Sequence, residues 1–199
     1  MAGVKIDPLK LAGPWTEGYV LERQHTISST FLGTDSRGID HFDTKRSELG
    51  ELVFRLKNRN DKAALIAIAE AVETFIAGWN PQIDLVVPVP PSRKRRLFQP
   101  VVEIAIAIGA RLSKPVATDA VRKIKDTPEL KNVFDYQQRL KLLQDAFEVD
   151  AGTVGTRQIL LVDDLYRSGA TAAVVAQQLR RAGAAAVYML AMTKTRTKV

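Results

Sequence analysis

Two runs of consecutive apolar residues are each followed by a helical pattern along this chain. Residues 83–91 (IDLVVPVPP) and residues 159–162 (ILLV) have the length of strands and are almost entirely apolar. Such runs are typical of strands buried on both faces of a parallel sheet. Residues 101–112 and 170–181 then carry apolar positions at helical spacing. The alternation predicts an α/β domain with a mainly parallel sheet.

The N-terminal part of the chain has a different pattern. Residues 1–44 mix β-branched and aromatic residues with glycines, which predicts hairpins with strands at residues 19–32 and 39–42. We therefore divide the chain into two predicted domains. Residues 1–45 form a small β-rich appendage, which we call the hood, and residues 46–199 form the α/β domain.

The second apolar run leads directly into the most informative stretch, QILLVDDLYRSGATAAVVAQQLRR. Asp163 and Asp164, the acid pair, follow the strand, and a short turn then leads into a helix. Strand, small-residue turn and helix together form a phosphate cradle. Free N–H groups and the helix dipole attract an anion there, and Gly169 lets the backbone approach it closely. Ser168 and Thr171 add hydroxyl donors.

Carboxylates beside a phosphate cradle suit a ligand that has both a phosphate and vicinal hydroxyl groups, such as a ribose 5-phosphate. Apolar residues that end in two acids also describe a motif of P-loop ATPases, but the chain has no G-x-x-x-x-G-K-[ST] sequence. The G-x-G-x-x-G sequence of dinucleotide-binding proteins is absent as well. A purely structural alternative stays open, in which the acids cap a helix and Gly169 makes a tight turn.

Composition narrows the class of protein further. The chain has 199 residues, of which 46% are hydrophobic and 26% charged, which suits one globular unit with a small appendage. It has no cysteine, so neither disulfides nor thiolate zinc sites can form. We expect His25 and His41 to be surface residues. No apolar run reaches the roughly 20 residues of a membrane span, so we expect a cytoplasmic protein without a membrane partner.

The motif around the acid pair resembles the signature of the type I phosphoribosyltransferases. Val162-Asp163-Asp164 and Ser168-Gly169-Ala170-Thr171 carry this likeness. The resemblance implies that the acid pair is catalytic and holds the ribose hydroxyls of phosphoribosyl pyrophosphate (PRPP). It also implies that the 5-phosphate is bound by the phosphate loop, which comprises Tyr166, Arg167, Ser168, Gly169, Ala170 and Thr171. Magnesium would then be held through PRPP and the acid pair, with no direct protein site of its own.

The resemblance also assigns a role to the loop after the first apolar run. Pro90, Ser92, Arg93, Lys94 and Arg96 would bind pyrophosphate, because guanidinium groups bond phosphate oxygens in a bidentate manner. The formal net charge is +7, and residues 92–145 contain 12 Lys or Arg and 6 Asp or Glu, a local excess of +6. A solvated surface or a nucleic-acid patch remains the alternative for this charge.

Residues 123–135 mix charge with few large apolar residues, and we expect them to form a flexible lid over the site. The resemblance implies that Lys123, Lys125, Lys131 and Arg139 meet pyrophosphate oxygens. Residues 147–149 are then expected to return the chain to the sheet.

Further segments make the chain similar to the ComF family of phosphoribosyltransferases, which is associated with bacterial DNA uptake and competence. The likeness covers residues 47–196 and includes LKNR, PVPP, Arg139 and AFEV. Two departures are visible: the four-cysteine zinc module is missing, and the chain reads RLFQP at residues 96–100, where family members have a glycine after the arginine.

These observations predict an α/β fold with a mainly parallel sheet of the type I phosphoribosyltransferase kind and an N-terminal β-rich hood. The expected reaction is transfer of the phosphoribosyl group from PRPP, with magnesium, to a nitrogen nucleophile, with release of pyrophosphate. The alternative is a catalytically inactive PRPP-binding or DNA-handling accessory protein of the same fold. Weak non-specific nucleic-acid binding and a homodimer are left open.

Overall fold

A five-stranded sheet forms the centre of the molecule in the computed structural model, which describes residues 3–91, 98–127, 133 and 135–195. In chain order the elements are β1 (Leu9–Lys10), β2 (Glu17–Glu22), β3 (Thr26–Thr34), β4 (Asp40–Arg46), α1 (Glu48–Arg59), α2 (Lys62–Trp79), β5 (Leu85–Pro88), α3 (Pro100–Leu112), β6 (Val121–Lys123), α4 (Tyr136–Leu143), β7 (Phe147–Val149), α5 (Ala151–Val154), β8 (Gln158–Tyr166), α6 (Ala170–Arg181) and β9 (Ala186–Lys194).

The sheet has the strand order β1-β2-β9-β8-β5. The pairs β2–β9, β9–β8 and β8–β5 are parallel, and only the two-residue edge strand β1 is antiparallel to its neighbour. The predicted α/β class with a mainly parallel sheet is therefore confirmed. Both predicted buried strands belong to this sheet, and β8 lies between two parallel partners.

Helices cover both faces of the sheet, because alternate side chains of each strand point to opposite sides. Leu160 and Val162 of β8 pack with α1, α2 and α3 in one core, whereas Ile159 and Leu161 pack with α6 in the other. Side chains on both faces of β8 are fully buried from residue 159 to residue 162. This two-sided burial explains why the run has no alternation of apolar and polar residues.

The N-terminal residues contribute to two different sheets. Strands β1 and β2 join the central sheet, where Glu17–Glu22 pairs in parallel with β9. Strands β3 and β4 pair only with each other in a separate antiparallel hairpin. The hood predicted at residues 1–45 is thus β-rich, but its first two strands extend the sheet of the α/β part. Its independence as a domain stays a prediction.

Strand β7 does not return the chain to the central sheet, and that expectation is wrong. Residues Phe147–Val149 pair in antiparallel fashion with Val121–Lys123, and the two strands form a ribbon of their own. Phe147 packs its side chain into the core on the α6 side, so this apolar residue indicates contact with that core and not membership of the sheet.

Among the described residues, no helix is both long and apolar enough to cross a membrane.

Candidate functional site

The acid pair lies at the carboxyl end of the central strand β8. The sequence predicted that the strand ends at the acids, but β8 continues through them to Tyr166. Asp163 lies opposite Ala191 of β9, and Leu165 lies opposite Thr193. Because β2, β9, β8 and β5 are parallel, their carboxyl ends open toward the same crevice, where ligands of open α/β sheets bind.

The alternation along β8 gives the two acids different neighbours. Asp163 is in line with Leu161, on the side of α6, and Asp164 is in line with Val162, on the side of α1. On that second side the Lys57 ammonium lies 3.4 Å from Asp164 Oδ2. Lys57 is in the last turn of α1, where a basic side chain also complements the helix dipole. A cation of the fold therefore already contacts one member of the acid pair.

Asp163 has no comparable ion pair in the described part of the chain. Burial, and then the neighbouring Asp164 carboxylate, raises the pKa of the Asp163 carboxyl to about 8. A group in that state is protonated at neutral pH, so it can donate a hydrogen bond that an ionised carboxylate cannot donate. In the free protein this donor is used within the pair, because the Asp163 and Asp164 side chains are hydrogen-bonded to each other. Two hydroxyl groups on adjacent carbons of a sugar would meet one donor and one acceptor once that hydrogen bond opens.

The phosphate loop has the backbone conformation that the sequence predicts. Gly169 has φ of +75° and forms the N-cap of α6, and a Cβ atom placed on it would lie 2.1 Å from the Tyr166 hydroxyl oxygen. Only glycine meets both conditions. The Ala170 N–H lies 3.4 Å from the Ser168 hydroxyl. The first N–H groups of a helix have no partner within the helix, so the first turn of α6, which includes Thr171, can donate to an anion.

Tyr166 and Arg167 differ within this loop. Tyr166 is 9% exposed, and its ring closes against Gly169. Burial, followed by interactions with Tyr136 and Asp163, raises the pKa of the Tyr166 phenol to about 12, so it stays a neutral donor. Arg167 is exposed and is the cation of the loop itself. Tyr166 therefore shapes the loop, whereas Arg167 is accessible to an anion.

The loop predicted to bind pyrophosphate begins beside the acid pair. The Val89 N–H donates to the Val162 carbonyl at 2.8 Å, which places the end of β5 next to the residue before Asp163. Pro90 follows and is buried. Ser92, Arg93, Lys94 and Arg96 lie outside the described residues. The chain resumes at Phe98, and α3 begins at Pro100 as predicted.

The residues proposed for the lid are held by local contacts. Lys123 ends β6 and its ammonium lies 2.7 Å from the Thr127 hydroxyl, while Lys125 pairs with Asp145 at 3.6 Å. Arg139 of α4 donates to the Val133 carbonyl. Lys131 lies outside the described residues. The structure thus ties three of the four lid residues to their own segment and does not bring them to the acid pair.

Sequence reasoning missed a group of residues around His25. Its Nδ1 atom lies 3.0 Å from the Thr193 hydroxyl at the end of β9, and burial, followed by the charges of Arg46 and Lys57, lowers its pKa. The prediction of a surface position is therefore wrong for His25, whereas it is confirmed for the exposed His41. Lys57 lies in the segment LKNR, which the sequence analysis singled out. Because Lys57 and Asp164 are 107 residues apart along the chain, nothing in the sequence indicated that their side chains are in contact.

The residues present fit a magnesium ion that is held mainly by its substrate. In the described parts of the chain, no group of three or more His, Cys, Asp or Glu residues is arranged to bind a metal. Mg²⁺ commonly keeps several waters and binds through one or two carboxylates and the phosphates of a substrate. The acid pair supplies that number of carboxylates.

The fold is similar to that of solved phosphoribosyltransferases. Adenine phosphoribosyltransferase from Leishmania tarentolae is 12% identical, with 94% of each chain covered and a TM-score of 0.50. Adenine phosphoribosyltransferase from Saccharomyces cerevisiae is 15% identical, with 84% of each chain covered and a TM-score of 0.48. At these identities the likeness shows the fold alone, and the chain has the α/β fold of the type I phosphoribosyltransferases.

A larger enzyme also contains a similar unit. Glutamine PRPP amidotransferase from B. subtilis is 18% identical over 64% of this chain, with a TM-score of 0.45, and the chain spans only 26% of its length. No protein-family model matches the sequence, and no curated protein matches it.

Proposed function

We propose that the protein is a phosphoribosyltransferase that binds PRPP together with magnesium. The observation that supports this most is the junction of the acid pair with the phosphate loop at the carboxyl end of β8. Gly169 has the positive φ that brings backbone N–H groups to an anion, three residues beyond the strand end that carries the acids. A ribose 5-phosphate carries both kinds of group that such a junction can bind, vicinal hydroxyls and a phosphate.

Each part of the site has a distinct task in the proposed reaction. The phosphate loop holds the 5-phosphate through backbone N–H groups, Ser168 and Thr171. Asp164 accepts a hydrogen bond from one ribose hydroxyl, and protonated Asp163 donates one to the other oxygen. Magnesium, when bound with PRPP, neutralises charge on the pyrophosphate. Arg93, Lys94 and Arg96, which follow β5 in the sequence, are assigned to the binding of pyrophosphate because of their charge.

The bond between the anomeric carbon and the pyrophosphate oxygen breaks, and its electron pair leaves with pyrophosphate. The nitrogen nucleophile forms the new bond to that carbon and releases its proton to solvent. Lys57 is paired with Asp164, and His25 is hydrogen-bonded to the Thr193 hydroxyl, so we assign neither of them the role of a separate base. Rate acceleration would then come mainly from positioning and from charge stabilisation.

We also propose that the protein is related to the ComF family and is therefore linked to DNA uptake. The segments LKNR, PVPP and AFEV support this relation.

The first test is thermal unfolding with and without ligand. PRPP with magnesium should raise the melting temperature more than ribose 5-phosphate does, because a ligand of the native state adds RT ln(1 + [L]/Kd), about 2.7 kcal/mol at 100 times Kd. Asp163→Asn with Asp164→Asn should remove the shift. Glu70→Gln with Glu73→Gln makes the same two carboxyl-to-amide substitutions on exposed residues of α2 and should keep the shift.

A melting curve of the unmodified protein that does not move in millimolar PRPP with magnesium would refute the proposal. If PRPP binds, incubation with a panel of nitrogen nucleophiles and measurement of released pyrophosphate separates an enzyme from an inactive PRPP-binding protein. Release with one acceptor supports transfer. Binding without release from any acceptor supports the accessory protein.

A further inference from the structure

Lys57 is the cation that the fold itself places at the acid pair. Its ammonium lies 3.4 Å from Asp164 Oδ2, and the side chains of Lys57 and Asp164 are 39% and 17% exposed. The backbone of Lys57 is fixed because the preceding Leu56 is 1% exposed in the core under α1. Helix α1 then ends at Asn60, which has a left-handed conformation. The Lys57 ammonium can therefore change position only by rotation about the bonds of its side chain.

The position of this contact sets it apart from an ordinary surface ion pair. An exposed pair contributes little to stability, and an ammonium at 3.4 Å can leave its partner at small cost. Asp164, however, is a proposed ligand-binding residue. A cation that approaches Asp164 must displace the Lys57 ammonium or is repelled by it. An anion bound beside Asp164 lies within reach of the same ammonium.

We infer that Lys57 is a further ligand-binding residue of this site, which exchanges Asp164 in the free protein for a phosphate oxygen of PRPP in the complex. The inference rests on the proposed function, because the anion is that of PRPP. In the free protein Lys57 neutralises Asp164 in place of a bound cation. In the complex the cation that accompanies PRPP takes over this neutralisation, and the ammonium pairs with the ligand.

This exchange predicts effects of opposite sign on two ligands. Lys57→Met keeps the length of the side chain and removes the charge. It should tighten the binding of Mg²⁺ alone several-fold, because a repelling charge next to Asp164 is lost. It should weaken the binding of PRPP with magnesium about tenfold, which corresponds to the loss of one charge-assisted hydrogen bond. Lys57→Arg should restore the affinity for PRPP.

The experiment is isothermal titration of the full chain with MgCl₂ alone and with PRPP in excess MgCl₂. Lys114→Met is the matched control, because Lys114 is an exposed lysine in the turn after α3, whose carboxyl end points away from the crevice. The control should leave both affinities unchanged. Thermal melts of each variant in the absence of ligand show that the protein is folded.

Equal dissociation constants for PRPP in the unmodified protein and in Lys57→Met would overturn the inference and leave the proposed function standing. A lower affinity for PRPP that Lys57→Arg does not restore would overturn it as well. If the unmodified protein binds no PRPP, the proposed function fails, and the titration with MgCl₂ alone then decides on Lys57. An affinity for Mg²⁺ that Lys57→Met leaves unchanged would in that case overturn the exchange.

Discussion

Replacing Asp163 by asparagine should stabilise the protein, although Asp163 is a proposed binding residue. Burial and Asp164 raise the pKa of the Asp163 carboxyl from its ordinary value of 3.8 to about 8 in the fold. A carboxyl group whose pKa is raised on folding favours the folded state at low pH, and this contribution is lost as the pH rises through the folded pKa. The ionised form is the one that destabilises the fold, and asparagine cannot ionise.

The size of the gain follows from the shift. One pKa unit corresponds to about 1.4 kcal/mol. Because Asp163 keeps some contact with solvent, which screens part of the cost, we expect Asp163→Asn to raise the free energy of unfolding by about 1–3 kcal/mol above pH 8. Near pH 4 the difference between the two proteins should approach zero. The gain should therefore grow steadily across the window from pH 4 to pH 8.

Urea unfolding at pH 4, 6 and 9 in the presence of a chelator measures this difference, and the buried Trp15 provides the fluorescence signal. Asp164→Asn is the matched control, because it makes the same substitution one residue along the strand. It loses the ion pair with Lys57 and removes only the smaller of the two causes of the raised pKa, so it should gain less than Asp163→Asn. Two results would contradict this explanation. One is a gain in the free energy of unfolding for Asp163→Asn that is no larger at pH 9 than at pH 4, and the other is an equal gain in both variants.

Two further predictions concern other parts of the fold. Gly169→Ala should lower the free energy of unfolding by about 1–3 kcal/mol in urea titrations, because φ is +75° and the new methyl group would overlap the ring and the hydroxyl of Tyr166; an unchanged free energy of unfolding would contradict this close contact. Hydrogen bonds from Lys10 and Trp79 lower the pKa of Glu17 to about 2, so its stabilising contribution is complete above pH 4.5 and is lost as the pH falls toward 2. Glu17→Gln should therefore flatten the acid limb of stability in melts between pH 2 and pH 5, whereas an unchanged acid limb would contradict the role of Glu17.

The parallel core of this fold is predictable from the sequence because the signal is local. Residues 159–162 are buried on both faces, and a continuous apolar run is the direct consequence. The phosphate loop is predictable for the same reason, since the positive φ at Gly169 occurs at a glycine between two small residues, Ser168 and Ala170. In both cases the physical cause lies within a few residues of the pattern that reveals it.

The pairing of β7 and the position of Lys57 were not predictable in this way. Val149 lies opposite Val121, and Lys57 lies beside Asp164, and each pair is far apart along the chain. A three-residue strand such as Phe147–Val149 has the same composition whether it joins the central sheet or a separate ribbon. Only the packing of Phe147 on the α6 side decides between them. Long-range packing of this kind produces no periodic pattern of apolar residues from which it could be predicted.

The different behaviour of Asp163 and Asp164 follows from the helices on the two sides of β8. On the side of α6 the layer is built from alanines such as Ala170, Ala172 and Ala173, which are buried, and Asp163 has no ion-pair partner there among the described residues. On the side of α1 the layer ends in Lys57, which is partly exposed and charged. Neighbouring acids on a strand meet both layers at once, whereas acids one turn apart on a helix would share one. A single strand end can therefore place two carboxyl groups with different neighbours at the same site.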